Sequence, residues 1–188
     1  DSNSNIIILM YHQIRINVKN NIGPYKSNII SVKNFEEQLL FLKKNYKVLS
    51  LDDFIKEFNN IDLFNDKIAV VTFDDGFKDN YVNALPLLRK HNIPATIYIT
   101  TNFVGNKYYP YEYKLADIIF KYDKLSFEFL DNNFHFDLSN IENKVKCYNR
   151  LKNFEKGFNF YKREMFLEAI FNSKNRSDEQ SDLFMHWD

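Results

Sequence analysis

The amino-acid sequence predicts an α/β fold whose strands run parallel. Along residues 6–103, short apolar runs alternate with segments whose apolar residues recur at helical spacing. This alternation is typical of parallel strands joined by right-handed crossovers. One apolar run, Val70–Phe73, ends in two adjacent carboxylates and a glycine, Asp74, Asp75 and Gly76. We therefore expect a chemically active site where this strand ends.

Four strands and three helices are predicted in this part of the chain. The strands are expected at residues 6–11, 46–49, 68–73 and 95–100. The first helix is expected to begin with Asn34 and Glu37 as a capping pair, the second opens at Ser50, and the third covers residues 80–91. The polar stretch 13–31 predicts a loop.

Three of the predicted strands end at polar side chains. His12 follows the first strand, Asp74 and Asp75 follow the third, and Thr100 and Asn102 follow the fourth. Because the carboxyl ends of parallel strands form one edge of a sheet, we expect His12, Thr100 and Asn102 to line a mouth shared with the two carboxylates. One acid of such a pair can bind a metal while the other takes a proton from water. An ordinary Asp-Gly turn, and a His12 that only hydrogen-bonds locally, are the alternatives.

The sequence around these acids resembles the polysaccharide deacetylase family, the NodB-like carbohydrate esterases. Residues Thr72–Gly76 read TFDDG, which is the family's first signature, and the resemblance runs almost continuously through residues 6–103. The family's second signature, a His-x-x-x-His that supplies two metal ligands, is absent. The four histidines are His12, His91, His135 and His186, and no two lie within one helical turn. The chain therefore resembles an N-terminal portion of a deacetylase, as a truncated or interrupted reading frame would produce.

The resemblance implies a reaction and a role for each acid. It implies that Asp74 is the general base and Asp75 a ligand of a divalent metal, most consistent with zinc. The reaction would be hydrolysis of N-acetyl groups on a carbohydrate of the cell surface. Because two histidine ligands are missing, we expect the metal to be bound weakly or not at all and the chain to be inactive by itself.

The resemblance also implies a domain organisation. Residues 1–103 would form the N-terminal part of the irregular (β/α) barrel of the NodB-like fold. Residues 104–180, whose pattern changes to helices and a hairpin around residues 131–133, would form an α+β insertion after the fourth strand. Ser139 with Glu142 is expected to cap the helix that follows the hairpin. Residues 181–188 would begin the next barrel element. A barrel open at the fourth strand predicts self-association through its edge.

Composition excludes several other classes of protein. The 25 basic and 25 acidic residues give a net charge of zero, which argues against nucleic acid or an anionic membrane as the partner. No apolar run approaches the ~20 residues of a membrane span. Residues 1–10 show no signal peptide, so the sequence leaves the compartment, cytoplasmic or extracytoplasmic, undecided.

Two other functions compete with deacetylation. A non-catalytic carbohydrate-binding or scaffold protein could keep the fold and lose the chemistry; the presence or absence of two closely spaced histidines in the full gene separates these readings. A response-regulator-like receiver also uses an acid pair at a strand end. Receivers place that pair after their first strand, whereas here it follows the third, so this alternative is disfavoured.

Overall fold

The computed structural model describes residues 5–16, 23, 28–62, 65–106, 109–173 and 184–185. These residues belong to two compact units. The first comprises residues 1–18, 28–108 and 182–188, and the second comprises residues 19–27 and 109–181. The interpretation of these segments as barrel, insertion and next barrel element stays a prediction.

The first unit is built on a parallel sheet, which confirms the α/β class. Its central strand is β5 (Ile68–Phe73), and β1 (Ile6–Tyr11) pairs along the whole length of one edge. Strands β4 (Lys47–Leu49) and β6 (Thr96–Ile97) share the other edge. All six residues of β5 are buried, as expected of a central strand covered on both faces. The described strands form an open four-stranded sheet, and closure into a barrel stays a prediction.

Three helices connect these strands. They are α1 (Val32–Asn45), α2 (Leu51–Glu57) and α3 (Leu85–His91), and a π-helical turn at Asn80–Ala84 leads into α3. The prediction that Ser50 opens the second helix is confirmed, since its hydroxyl accepts a hydrogen bond from the Asp53 amide at 3.0 Å.

Two short strands lie where a loop was predicted. β2 (Gln13–Arg15) and β3 (Ile29–Ser31) pair in parallel within the stretch 13–31. Each has three residues, too few to show a period, and Ile14 is nevertheless fully buried. The predicted start of the first helix at Asn34 is also wrong. β3 ends at Ser31 and α1 begins at the next residue. Ser31 is therefore the N-cap, and its side chain accepts a hydrogen bond from the Asn34 amide.

The fourth strand is shorter than predicted. Residues 95–100 were expected to be extended, but only Thr96–Ile97 pair with β5. The Tyr98 amide still donates to the Phe73 carbonyl at 2.8 Å. Beyond that point β5 ends, and among the described residues no other strand lies beside residues 99–100 to continue the ladder.

An aromatic cluster fixes the sheet end that carries the candidate site. Tyr11, Phe35 and Phe73 are buried, with ring centroids 5.1 to 5.8 Å apart. Losing one buried aromatic ring costs about 3–5 kcal/mol. Because Tyr11 and Phe73 are the last residues of β1 and β5, their packing holds His12 and Asp74 at adjacent strand ends.

The second unit contains three helices and one hairpin, which agree in kind with the prediction. They are α4 (Tyr111–Lys121), the hairpin β7 (Lys124–Phe129) and β8 (Asn132–Asp137), α5 (Ile141–Phe154) and α6 (Phe160–Asn172). Its core is a cluster of mutually packed phenylalanines, namely Phe127, Phe129, Phe134, Phe154, Phe158 and Phe166. No helix among the described residues combines the length and the apolar character needed to cross a bilayer.

Two local predictions in this unit are wrong by one or two residues. The hairpin turns at Leu130 and Asp131, both left-handed with φ of 48° and 57°, rather than around residues 131–133. α5 is capped by Asn140 rather than Ser139. The Ser139 hydroxyl is already engaged with the Asp137 carboxylate at 3.1 Å, which leaves the next side chain to cap the helix.

Candidate active site

The acid pair lies in a tight turn at the end of β5. The Asp74 amide continues the sheet by donating to the Tyr11 carbonyl at 2.9 Å. Asp75 and Gly76 then both adopt left-handed backbone conformations, each with φ of 72°. Aspartate reaches this region more readily than most residues, and glycine reaches it without strain. At Gly76 a Cβ atom would also come within 3.3 Å of the Ile99 side chain, so the turn favours glycine twice over.

Three predicted site residues meet around one carboxylate. His12 Nε2 lies 4.0 Å from Asp75 Oδ2, and the Thr100 hydroxyl donates to Asp75 Oδ1 at 3.3 Å. The side chains of His12 and Asp75 are 22% and 32% exposed, so solvent and a small ligand can reach them. The three come from three strand ends, which is the convergence that parallel strands predict.

The other two predicted residues are placed differently. Asp74 is half-buried next to Asp75, at the head of the turn. Asn102 is exposed in the turn that follows Thr100, where the Phe103 amide donates to the Thr100 carbonyl at 2.8 Å. Among the described residues no hydrogen bond joins Asn102 to either carboxylate, so its expected contribution to the site stays a prediction.

Tyr11 and two of the other histidines make contacts outside the candidate site. Tyr11 faces the core, as strand alternation predicts, and donates to Gln38 at 2.8 Å. His91 Nε2 contacts Glu36 at 2.9 Å between two helices, and His135 Nδ1 contacts a serine of the facing strand at 3.2 Å. His186 lies outside the described residues.

Three polar residues after the signature were not predicted as part of the site. Asp79, Asn80 and Asn83 all hydrogen-bond the backbone of residues 12–14. Burial raises the pKa of Asp79 from its ordinary 3.8 to about 6, although Arg15 and the Ile14 amide act in the opposite direction. The sequence signal that could have identified them is the recurrence of polar side chains four residues apart, Asp79 and Asn83, in the segment that directly follows the signature.

A segment that is distant in the sequence also contacts the signature. The Met185 amide donates to the Gly76 carbonyl at 3.0 Å, and its carbonyl accepts from the Gly105 amide at 2.9 Å. The Phe184 ring stacks on Phe77 with centroids 4.8 Å apart. The turn that carries the acids is therefore supported from residues more than a hundred positions away.

The donor set at this mouth suits part of a zinc site. Asp75 offers a carboxylate and His12 an imidazole, the oxygen and nitrogen ligands that zinc accepts. Among the described residues, no group of three or more His, Cys, Asp or Glu side chains is gathered as a metal site would require. The fit is thus two ligands of the usual three.

Comparison with known proteins finds a partial similarity to one family. The sequence pattern of the polysaccharide deacetylase family matches residues 63–120, which include the acid pair. The Bacillus subtilis protein YxkH, named as a polysaccharide deacetylase, is 30% identical over 112 residues, covering 59% of this chain and 37% of the relative. The matched part of the chain is therefore similar to polysaccharide deacetylases.

Other deacetylases show the same partial match. The poly-beta-1,6-N-acetyl-D-glucosamine N-deacetylase of Staphylococcus aureus (strain MSSA476) is 34% identical over 110 residues, covering 54% of this chain and 38% of that enzyme. The structure of the Streptococcus pyogenes deacetylase PplD is 31% identical, with 53% of this chain and 44% of that chain covered and a TM-score of 0.45. The match spans a little over a third of the length of the curated relatives.

Proposed function

We propose that this chain carries the acid pair of a metal-dependent N-deacetylase that acts on carbohydrates. The observation that supports this most is the approach of His12 Nε2 to Asp75 Oδ2, 4.0 Å apart, at the end of the strand bearing the TFDDG signature. A purely structural Asp-Gly turn has no need of an imidazole from another strand end at a solvent-accessible carboxylate. The match of residues 63–120 to the polysaccharide deacetylase pattern supports the same chemistry.

Asp75, with His12 as a second donor, would hold the metal. When bound there, a zinc ion would polarise the acyl oxygen and acidify a water molecule. The Thr100 hydroxyl, by donating to Asp75 Oδ1, would leave Oδ2 as the atom directed towards His12 and the ion. We expect the affinity of the 188-residue chain for zinc to be weak, because two protein ligands fall short of a closed site.

Asp74 would act as the general base. Its carboxylate would accept a proton from the attacking water as that water adds to the acetyl carbon. The carbon–nitrogen bond then breaks, a proton goes to the departing sugar nitrogen, and the products are acetate and a free amine. Separate roles for the two acids are favoured by the left-handed turn at Asp75, which gives adjacent residues different backbone directions.

Acetylated amino sugars are the substrate class we propose. The names of the staphylococcal relatives specify poly-beta-1,6-N-acetyl-D-glucosamine, so oligomers of β-1,6-linked N-acetylglucosamine are the first substrates to test. The phenylalanine cluster of the second unit offers no support for a sugar groove, because its rings are packed against one another as core.

The sheet itself supports two further proposals. We propose that it is part of a NodB-like irregular (β/α) barrel, with residues 104–180 as an insertion after the fourth strand. We also propose self-association through the sheet edge at β6, because Ile97 and Ile99 are 37% and 43% exposed.

Acetate release tests the proposed reaction. The full-length gene product is incubated with zinc and oligomers of β-1,6-linked N-acetylglucosamine, beside its Asp74→Asn and Asp131→Asn variants. We expect acetate from the unaltered protein and from Asp131→Asn, a matched change in the hairpin turn, and a loss of about 100-fold or more from Asp74→Asn. Equal activity in all three proteins would exclude Asp74 as the base. Tight oligosaccharide binding without acetate would favour the non-catalytic alternative.

A further inference from the structure

The helical segment after the signature reaches back to the chain around His12. Asn80 Nδ2 donates to the His12 carbonyl at 2.7 Å, and Asn83 Nδ2 donates to the Ile14 carbonyl at 2.7 Å. Asp79 Oδ1 accepts from the Ile14 amide at 3.2 Å. These three bonds connect residues 65 to 69 positions apart in the sequence, so they fix one strand end against another segment rather than a local turn.

The three side chains point the same way, since each one hydrogen-bonds the backbone of residues 12–14. Asp79 and Asn83 are close to one helical turn apart and both reach Ile14, whereas Asn80 reaches His12. The backbone here forms a π-helical turn from Asn80 to Ala84, a rare feature that occurs frequently at functional sites. Asn80 is 1% exposed, so the donor of the bond to the His12 carbonyl is shielded from water.

The bonds hold the segment that carries the imidazole. Before His12, the Tyr11 carbonyl accepts from the Asp74 amide; after it, the Gln13 amide donates to the Asn28 carbonyl at 3.0 Å. The Asn80 bond adds a third restraint at the His12 carbonyl itself. With the backbone held on both sides, the direction of the His12 Cα–Cβ bond is set, and the imidazole lies opposite Asp75.

We propose that Asn80 and Asn83, together with Asp79, are positioning residues of the candidate active site that hold the His12 imidazole opposite Asp75. They touch neither a substrate nor the reacting atoms and act through the backbone of residues 12–14. The catalytic meaning of this arrangement rests on the proposed function. The arrangement itself does not, because it can be measured without metal or substrate.

A double-mutant cycle read by NMR tests this proposal on the 188-residue chain. The His12 ring Cε1–H resonance is assigned with histidine-labelled protein and a His12→Gln variant. The shift that Asp75→Asn causes in this resonance is then measured in three backgrounds: unaltered, Asn83→Ala and Asn140→Ala. Asn140→Ala is the matched control, because it too removes one asparagine hydrogen bond, at the cap of α5.

We expect Asp75→Asn to shift the His12 resonance in the unaltered protein and in Asn140→Ala. In Asn83→Ala that shift should shrink roughly twofold or more, since the two side chains no longer share a fixed geometry. A response of full size in the Asn83→Ala background would overturn the proposal. No response in the unaltered background would overturn it too, by showing that His12 and Asp75 do not meet in solution.

A general loss of stability cannot imitate this result, because Asn140→Ala should destabilise the chain without changing the response. If Asn83→Ala fails to fold, Asn83→Asp keeps the shape of the side chain, removes the donor and is measured in the same way. The proposed function can fail separately. A coupled His12 and Asp75 in a full-length protein that releases no acetate would leave the positioning intact and reject the deacetylase.

Discussion

Asparagine side chains make local hydrogen bonds at helix starts in the second unit and long-range hydrogen bonds in the first unit. In the second unit, Asn140 and Asn159 each accept a hydrogen bond from an amide three residues ahead and so start a helix. In the first unit, Asn80 and Asn83 donate to carbonyls 68 and 69 residues away. Local caps make each helix easier to form, whereas the long-range bonds determine where one strand end lies. The difference teaches that polar side chains directed at a distant backbone mark the region whose geometry matters for function.

Aspartates in the two units should respond to pH in opposite directions, and this is the largest effect on stability that we expect. Burial raises the pKa of Asp79 from 3.8 to about 6, although the neighbouring Arg15 guanidinium acts in the opposite direction. Its contribution is therefore fully present below the unfolded pKa and is lost as pH rises through about 6. Hydrogen bonds from Ser139 lower the pKa of the exposed Asp137, whose contribution is present above 3.8 and lost as pH falls.

Urea unfolding of Asp79→Asn and Asp137→Asn checks this contrast. The free energy of unfolding of Asp79→Asn, relative to the unaltered chain, should rise between about pH 4 and pH 7 by on the order of 3 kcal/mol, since roughly two pKa units are involved. For Asp137→Asn, the free energy of unfolding relative to the unaltered chain should instead fall as pH rises through the acid range, because the unaltered chain gains the contribution of ionised Asp137. A pH-independent difference for Asp79→Asn would show that its carboxyl is not desolvated in the folded chain.

Replacing Asn80 in the first unit should lower the free energy of unfolding more than replacing Asn140 in the second unit. Asn80→Ala leaves the His12 carbonyl without a buried donor, which costs about 2–3 kcal/mol. Asn140→Ala removes an exposed helix cap and costs about 1 kcal/mol. Chemical denaturation of both variants measures the difference. A smaller loss for Asn80→Ala than for Asn140→Ala would contradict the contrast between long-range and local bonds.

Self-association should depend on the sheet of the first unit and only weakly on the second unit. Ile97→Lys places a charge on the exposed side of β6 and should weaken association by a few fold, because burying an unpaired charge is costly. Ile141→Lys, at an exposed position at the start of α5, is the matched control. Light scattering over a concentration series measures both. Equal weakening by the two changes would place the contact elsewhere.

Local sequence patterns predicted the parts of the site that depend on local chemistry. The buried run ending at Phe73, the acids after it and the convergence of His12, Asp75 and Thr100 all follow from strand alternation and from the meeting of parallel strand ends. The glycine at position 76 correctly indicated a left-handed turn at the end of the strand.

Features that depend on distant partners were not predictable in this way. β2 and β3 have three residues each, and their pairing is decided by Ile14 entering the core. Ser31 and Asn34 are both good caps, and only the strand before the helix selects Ser31. Asn80 and Asn83 look like ordinary polar helix residues until the backbone of residues 12–14 is placed beside them.

Zinc binding by two single variants tests the central claim, the division of labour between Asp74 and Asp75, most directly. Zinc affinity is measured by competition with a chelating dye for the unaltered chain, Asp75→Ala and Asp74→Asn. A ligand fixes the ion and a base only moves a proton, so Asp75→Ala should weaken binding roughly tenfold or more, while Asp74→Asn should stay within about twofold of the unaltered chain. An equal loss of zinc in both variants would contradict this assignment.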